Sequence, residues 1–146
     1  MFAKLDQAKT REDFMASAAW LQARPDVTAK LGAVGFCYGG GMVHMLSTRL
    51  TNLAAAVPFY GNHPAPEDAA KVKAPLLIHF AAVDERINAA WPAYETALKA
   101  AGVPYTAHHY AGTQHGFNND TTPRFDALAA KLAWERTLEF FRQKLQ

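Results

Sequence analysis

The sequence predicts an α/β fold: a parallel sheet of about four strands flanked by helices, in a single domain over residues 1–146. Three observations carry that prediction. Short apolar runs alternate along the chain with segments of helical spacing. The runs are apolar throughout instead of alternating, as strands covered on both faces are. Half of the residues are hydrophobic and 19% are charged, enough for a packed core and too little charge for a disordered chain.

Taken in order, Thr10-Arg11-Glu12-Asp13 has the pattern of a capping box, with the Thr10 hydroxyl set to accept from a first-turn amide. The helix it opens carries Phe14, Ala18 and Leu21 on one face and stops before Pro25. Leu31 to Phe36 reads as a short buried strand, and Gly40 to Leu50 as a helix of small residues. Ala54 to Tyr60 reads as a second strand, although Pro58 gives the ladder no donor. Pro75 to Ala81 is the clearest strand. Asn88 then caps a helix that carries Trp91, Tyr94 and Leu98 and ends at Gly102. Pro104 to Tyr110 is a β-branched and aromatic strand, followed by a polar loop from Ala111 to Thr122. From Pro123 a long amphipathic helix places Leu128, Leu132, Leu138 and Phe141 on its apolar side.

Charge and cysteine content narrow the function classes. A net charge of +2, with Lys and Arg scattered, offers no stripe for a nucleic-acid backbone. The single cysteine cannot form an internal disulfide, and a lone thiol is easiest to keep reduced in the cytoplasm. The N-terminal stretch MFAKLDQAKTRED lacks the apolar centre of a signal peptide, and no run reaches membrane-spanning length. The expectation is a cytoplasmic protein with neither nucleic acid nor membrane as partner.

That one cysteine sits in Gly35-Phe36-Cys37-Tyr38-Gly39, between a predicted strand and a predicted helix. Gly-x-nucleophile-x-Gly is a nucleophile elbow, a sharp turn that lifts the central side chain above the sheet. Gly35 and Gly39 are expected where strand and helix come too close for a Cβ. Cys37 would stand at a helix N-terminus, where the dipole favours the thiolate, and the Tyr38 backbone N–H would serve as an oxyanion donor. An elbow is followed in chain order by an acid and a histidine, each in a loop after a strand. Asp84, with Glu85 as the alternative, follows the Pro75–Ala81 strand, and His115 lies in the loop after the last strand. Taken singly, Asp84 is an ordinary loop carboxylate beside Arg86, His115 an ordinary polar residue and Cys37 an ordinary core thiol; their order and context set them apart. His44 and His79 read as helix and core residues, and His63, His108 and His109 lack metal-ligand spacing. Tyr60 and Gly61 end the second strand at the same sheet edge and are candidate pocket residues, as is Phe117 of the histidine loop.

These segments resemble the dienelactone hydrolases (carboxymethylenebutenolidases) of the α/β-hydrolase fold. GFCYGGG is similar to that family's cysteine elbow, AVPFYG to its following strand, HFAAVDERIN to its acid loop and GTQHGF to its histidine loop. The resemblance runs over the whole chain but only to the C-terminal half of the family's domain, a truncated α/β-hydrolase-like sheet without the N-terminal strands. It implies Cys37 as nucleophile, Asp84 as acid and His115 as base. Those absent strands would supply the second oxyanion donor. The family's arginine four residues after the histidine, which holds a substrate carboxylate, is matched here by Asn119.

The implied activity is hydrolysis of a carboxylic ester or lactone through a cysteine acyl-enzyme, with no cofactor and no metal. Two alternatives stand: a catalytically impaired, self-associating remnant of that family, and a relative of the prolyl-oligopeptidase serine hydrolases, whose acid and histidine loops are similar. In the family the strand at 31–36 lies mid-sheet; here it would be an edge with no Lys, Pro or inward charge to protect it. The expected partners are therefore a small ester or lactone and a second copy of the chain, a homodimer through that edge.

Overall fold

The computed structural model describes residues 5–28 and 30–146; the first four residues of the N-terminal stretch read above lie outside them. The elements run α1 (Gln7–Gln22), β1 (Leu31–Phe36), α2 (Tyr38–Arg49), β2 (Leu53–Phe59), a 3₁₀ turn (Pro66–Lys71), β3 (Leu76–Val83), α3 (Glu85–Asn88), α4 (Trp91–Ala100), β4 (Tyr105–Gln114) and α5 (Ala127–Leu145). The four strands form one parallel sheet in the order β1-β2-β3-β4, as the continuous apolar runs require.

Side chains on successive strand positions divide between two cores. Leu76, Ile78 and Phe80 of β3 enter one with Val43 and Leu46 of α2 and Trp91, Tyr94 and Leu98 of α4. Leu77 and Ala81 enter the other with Val57, Phe59, Phe117 and Ala130 and Ala133 of α5. Burying each large aliphatic or aromatic side chain here contributes about 1.5–3 kcal/mol. β3 is buried on both faces, so a polar residue inside it must find partners there. His79 does: its Nδ1 lies 2.8 Å from the Tyr110 hydroxyl and its Nε2 lies 3.1 Å from Thr137 Oγ1. Pro58 sits inside β2 opposite Gly35, next to the elbow.

Several local expectations are corrected. Asp6, not Thr10, caps α1, accepting from the Lys9 amide at 3.0 Å, and Thr10 bonds back to the Asp6 carbonyl from within the helix. Asp6 satisfies an orphan amide one turn earlier than Thr10 would, so the helix starts sooner. Of the α1 face, Ala18 is buried, while Phe14 and Leu21 remain exposed. Asn88 does not cap α4, whose N-cap is Ala90; it ends α3 and turns its amide back to β3. β4 continues to Gln114, four residues beyond the expected end, because β3 offers its edge that far. On α5 the buried residues are Ala130, Ala133 and Thr137, while Leu128, Leu132 and Leu138 are exposed. Phe141, the fourth residue of the expected apolar side, does pack against the core, together with Phe140.

Candidate active site

The three predicted residues stand at the carboxyl ends of three parallel strands, the end at which sites form in open α/β sheets. Cys37 is the residue between β1 and α2, with φ 53° and ψ −115°. That conformation costs a non-glycine residue about 1–3 kcal/mol, and here packing enforces it. The Cys37 amide donates to the Phe59 carbonyl at 3.1 Å, and its carbonyl accepts from the Gly41 amide at 3.2 Å. A Cβ on Gly35 would stand 2.3 Å from the Gly39 carbonyl oxygen, so only glycine fits beneath the turn. Gly39 itself is unlike the expectation: a Cβ there meets nothing within 4 Å. The second tight pair is instead Gly40 and Gly61, where added Cβ atoms would stand 2.6 Å from the Phe59 carbonyl and 2.3 Å from Gly40 backbone carbon respectively.

Asp84 and His115 meet across the ends of β3 and β4. His115 Nδ1 donates to Asp84 Oδ2 at 2.6 Å, in the range of a charge-assisted bond. Asp84 is buried, whereas neighbouring Glu85 is exposed, which separates the two acid candidates. Arg86 makes no pair with Asp84; it donates to Asn62 Oδ1 at 2.7 Å. The histidine loop turns through Gly116 at φ 89° and is anchored by Phe117, which is fully buried and whose carbonyl accepts from the Asp126 amide.

Cys37, His115 and Arg86 share a cleft of about 670 Å³, bounded by Met42 and Met45 of α2 and by His63 after β2. Tyr38, first residue of α2, also lines it, and its hydroxyl donates to Gln7 Oε1 at 2.8 Å. Tyr60, Gly61 and Phe117, expected to line the pocket, lie buried behind it. Tyr60 holds a strained φ of 37°, and its ring stands 5.1 Å from that of His115, backing the imidazole instead of meeting a ligand.

Electrostatics overturn the expectation of a resting thiolate. Burial pushes the Cys37 thiol up; Asp84 adds to the rise, while Arg124 and Arg86 oppose it. Loss of hydration around a half-buried sulfur disfavours its charged form. Two further residues carry no local signal in the sequence: Arg124, whose guanidinium lies over Gly116, and Asn62, which holds Arg86. Asn88, expected as a helix cap, lies behind the acid instead. His44 is buried with its Nδ1 lacking a partner, and its Nε2 lies 3.4 Å from His63 Nδ1. Among the described residues no cluster of three or more His, Cys, Asp or Glu could hold a metal ion, and no helix is long and apolar enough to cross a membrane.

The family model described as "Dienelactone hydrolase family" matches residues 1–145. A protein named "Putative carboxymethylenebutenolidase" from Saccharolobus solfataricus is 32% identical over 95% of this chain and 55% of its own length. One of the same name from Escherichia coli K12 is 29% identical over 98% of this chain and 57% of its own. The crystal structure titled "Putative Dienelactone Hydrolase" from Klebsiella pneumoniae is 28% identical and superposes with a TM-score of 0.88, covering 98% of this chain and 64% of that one. Pyrococcus horikoshii acylaminoacyl peptidase, at 20% identity and a TM-score of 0.75, shares the fold. The chain thus spans little more than half the length of the curated relatives it matches.

Proposed function

The chain belongs to the dienelactone hydrolase family, and we propose that within it the chain acts as a hydrolase of carboxylic esters or lactones through a cysteine acyl-enzyme. One observation supports this reading above the others. The Asp84–His115 hydrogen bond of 2.6 Å opens onto the same cleft as a cysteine held in a strained elbow.

In the proposed reaction Cys37 Sγ attacks the substrate carbonyl carbon while the thiol proton passes to His115 Nε2. Asp84 fixes the tautomer that leaves Nε2 free to accept, and it stabilises the imidazolium that results. The carbonyl oxygen takes up negative charge beside the Tyr38 backbone N–H, a donor worth about 3 kcal/mol to the transition state, or roughly two orders of magnitude in rate. Collapse expels the alkoxide, which takes the His115 proton and leaves a thioester on Cys37. Water, deprotonated by His115, then attacks the thioester and releases the carboxylic acid and the thiol. A neutral resting thiol suits this scheme, since the nucleophile is generated only with a base at hand.

The test is turnover of a p-nitrophenyl ester followed by intact-mass analysis during the steady state. The expected result is an acyl adduct on Cys37, with turnover and adduct both lost in Cys37→Ala. Undiminished turnover in that variant would overturn the proposal. We further propose self-association through β1, an edge strand among the described residues, whose Val34 and Phe36 are partly exposed. Sedimentation at micromolar concentration is expected to give a dimer that Val34→Lys dissociates; a monomeric wild-type chain would refute it.

A further inference from the structure

We propose that Asn88 is a positioning residue of the triad, its carboxamide holding the end of β3 in the broken register that aims Asp84 at His115. The proposal rests on the triad reading above and adds to it the group on which the geometry depends.

β3 and β4 pair in step from Leu76 with Tyr105 to Ala81 with Tyr110, after which Val83 pairs with Gln114. Between those last two pairs β3 advances two residues while β4 advances four. Such a bulge interrupts the ladder and re-aims the side chains beyond it. Asp84 and His115 are each the residue immediately after that final pair, so the bulge sets how their side chains face one another.

Asn88 grips this break. Its Nδ2 donates to the Ala81 carbonyl at 2.9 Å and to the Ala82 carbonyl at 3.2 Å, the two carbonyls that lie in the register slip. Its backbone amide donates to the Asp84 carbonyl at 2.9 Å. One residue therefore ties the chain before the acid to the acid itself. Helix α3, which carries Asn88, has four residues, far fewer than a helix needs to persist unaided, so the loop relies on these bonds for its shape. The carboxamide is used for its donors: both N–H groups are engaged, while Oδ1 is buried without a partner. Aspartate has the same shape but no donor, and alanine has neither.

The experiment compares wild-type chain with Asn88→Ala and Asn88→Asp, reading ester turnover and the proton NMR resonance of His115 Nδ1–H. A bond of 2.6 Å to a carboxylate gives that proton a distinct downfield signal. Both variants are expected to lose about 10- to 100-fold in kcat with KM changed less than about threefold, because the acid is misaligned and the cleft is intact. The downfield resonance should move upfield or broaden in both. Folding is checked by near-UV circular dichroism, and the isosteric aspartate variant decides if the alanine variant does not fold. Unchanged kcat with an unmoved resonance in a folded variant overturns the proposal, as does a loss of kcat with the resonance unmoved. If the wild-type chain turns over no ester, the hydrolase reading fails, and the resonance alone still decides the role of Asn88.

Discussion

The paired substitutions Gly35→Ala and Gly39→Ala put the elbow to a quantitative test, because the two glycines of one motif should respond with opposite signs. An alanine Cβ at 35 would stand 2.3 Å from the Gly39 carbonyl oxygen, against 3.4 Å for ordinary contact, and the obstacle is backbone. The first turn of α2 would have to withdraw by about 1.1 Å, the difference between those two distances. Overpacking of this kind costs about 1–3 kcal/mol, and the figure should lie at the upper end because no flexible side chain can yield. Cys37 lies between the two clashing residues and would move with them. A nucleophile misplaced by about 1 Å costs on the order of 100-fold in rate. At Gly39 a Cβ meets nothing, and the residue lies in the first turn of α2, so alanine should stabilise the chain by about 0.5–1 kcal/mol through its lower backbone entropy. Urea unfolding measures both stabilities, with an unchanged m-value confirming the comparison, and p-nitrophenyl ester turnover measures the displacement. The reasoning is refuted if Gly35→Ala unfolds within about 0.5 kcal/mol of wild type or if Gly39→Ala loses more than about 1 kcal/mol.

Replacement of the buried acid, Asp84→Asn, should lower kcat by about 10²–10⁴-fold, while exposed Glu85→Gln should stay near wild type; equal losses would show that the acid is misassigned. Iodoacetamide should label Cys37 at neutral pH more slowly than a free thiol, since burial raises its pKa, and the rate should climb as the pH is raised; fast labelling at pH 7 would contradict that electrostatic picture. Acid should destabilise the fold through its buried imidazoles. Burial lowers His63 to about 4 and His79 to about 3, so the unfolded chain binds protons that the folded chain excludes. Stability is then retained above about pH 6.5 and falls as pH drops from there toward 4, by up to about 1.4 kcal/mol per unit for each ring. Urea midpoints between pH 7 and 5 read this slope, and Thr137→Val, which removes one partner of His79, should not abolish it; a flat profile would show that these rings are protonated in the fold.

How much of this protein is legible in its sequence follows from the range over which each feature is decided. The parallel sheet could be read because the runs at 54–60 and 75–81 are apolar without alternation, as strands covered on both faces are; the run at 31–36 has the same pattern, yet as the edge strand of the described residues it leaves Val34 and Phe36 exposed. Cys37, Asp84 and His115 could be read because each is tied to the end of a strand by local order, and strand ends follow from composition. What escaped depends on distances between segments remote in sequence. The helix α5 presents Ala130 and Ala133 to the core and leaves Leu128 outside, because the rotation of the helix against the sheet selects its inner face. The space around Gly39 and the crowding at Gly61 are set by how α2 sits against the end of β2. The thiol of Cys37 is raised instead of lowered because the hydration it loses depends on the whole tertiary environment, whereas a helix terminus is a local feature that sequence can show. Sequence by itself determined which residues stand at the strand ends; tertiary structure alone decided which of them touch, because contact and desolvation are sums over neighbours that no local pattern encodes.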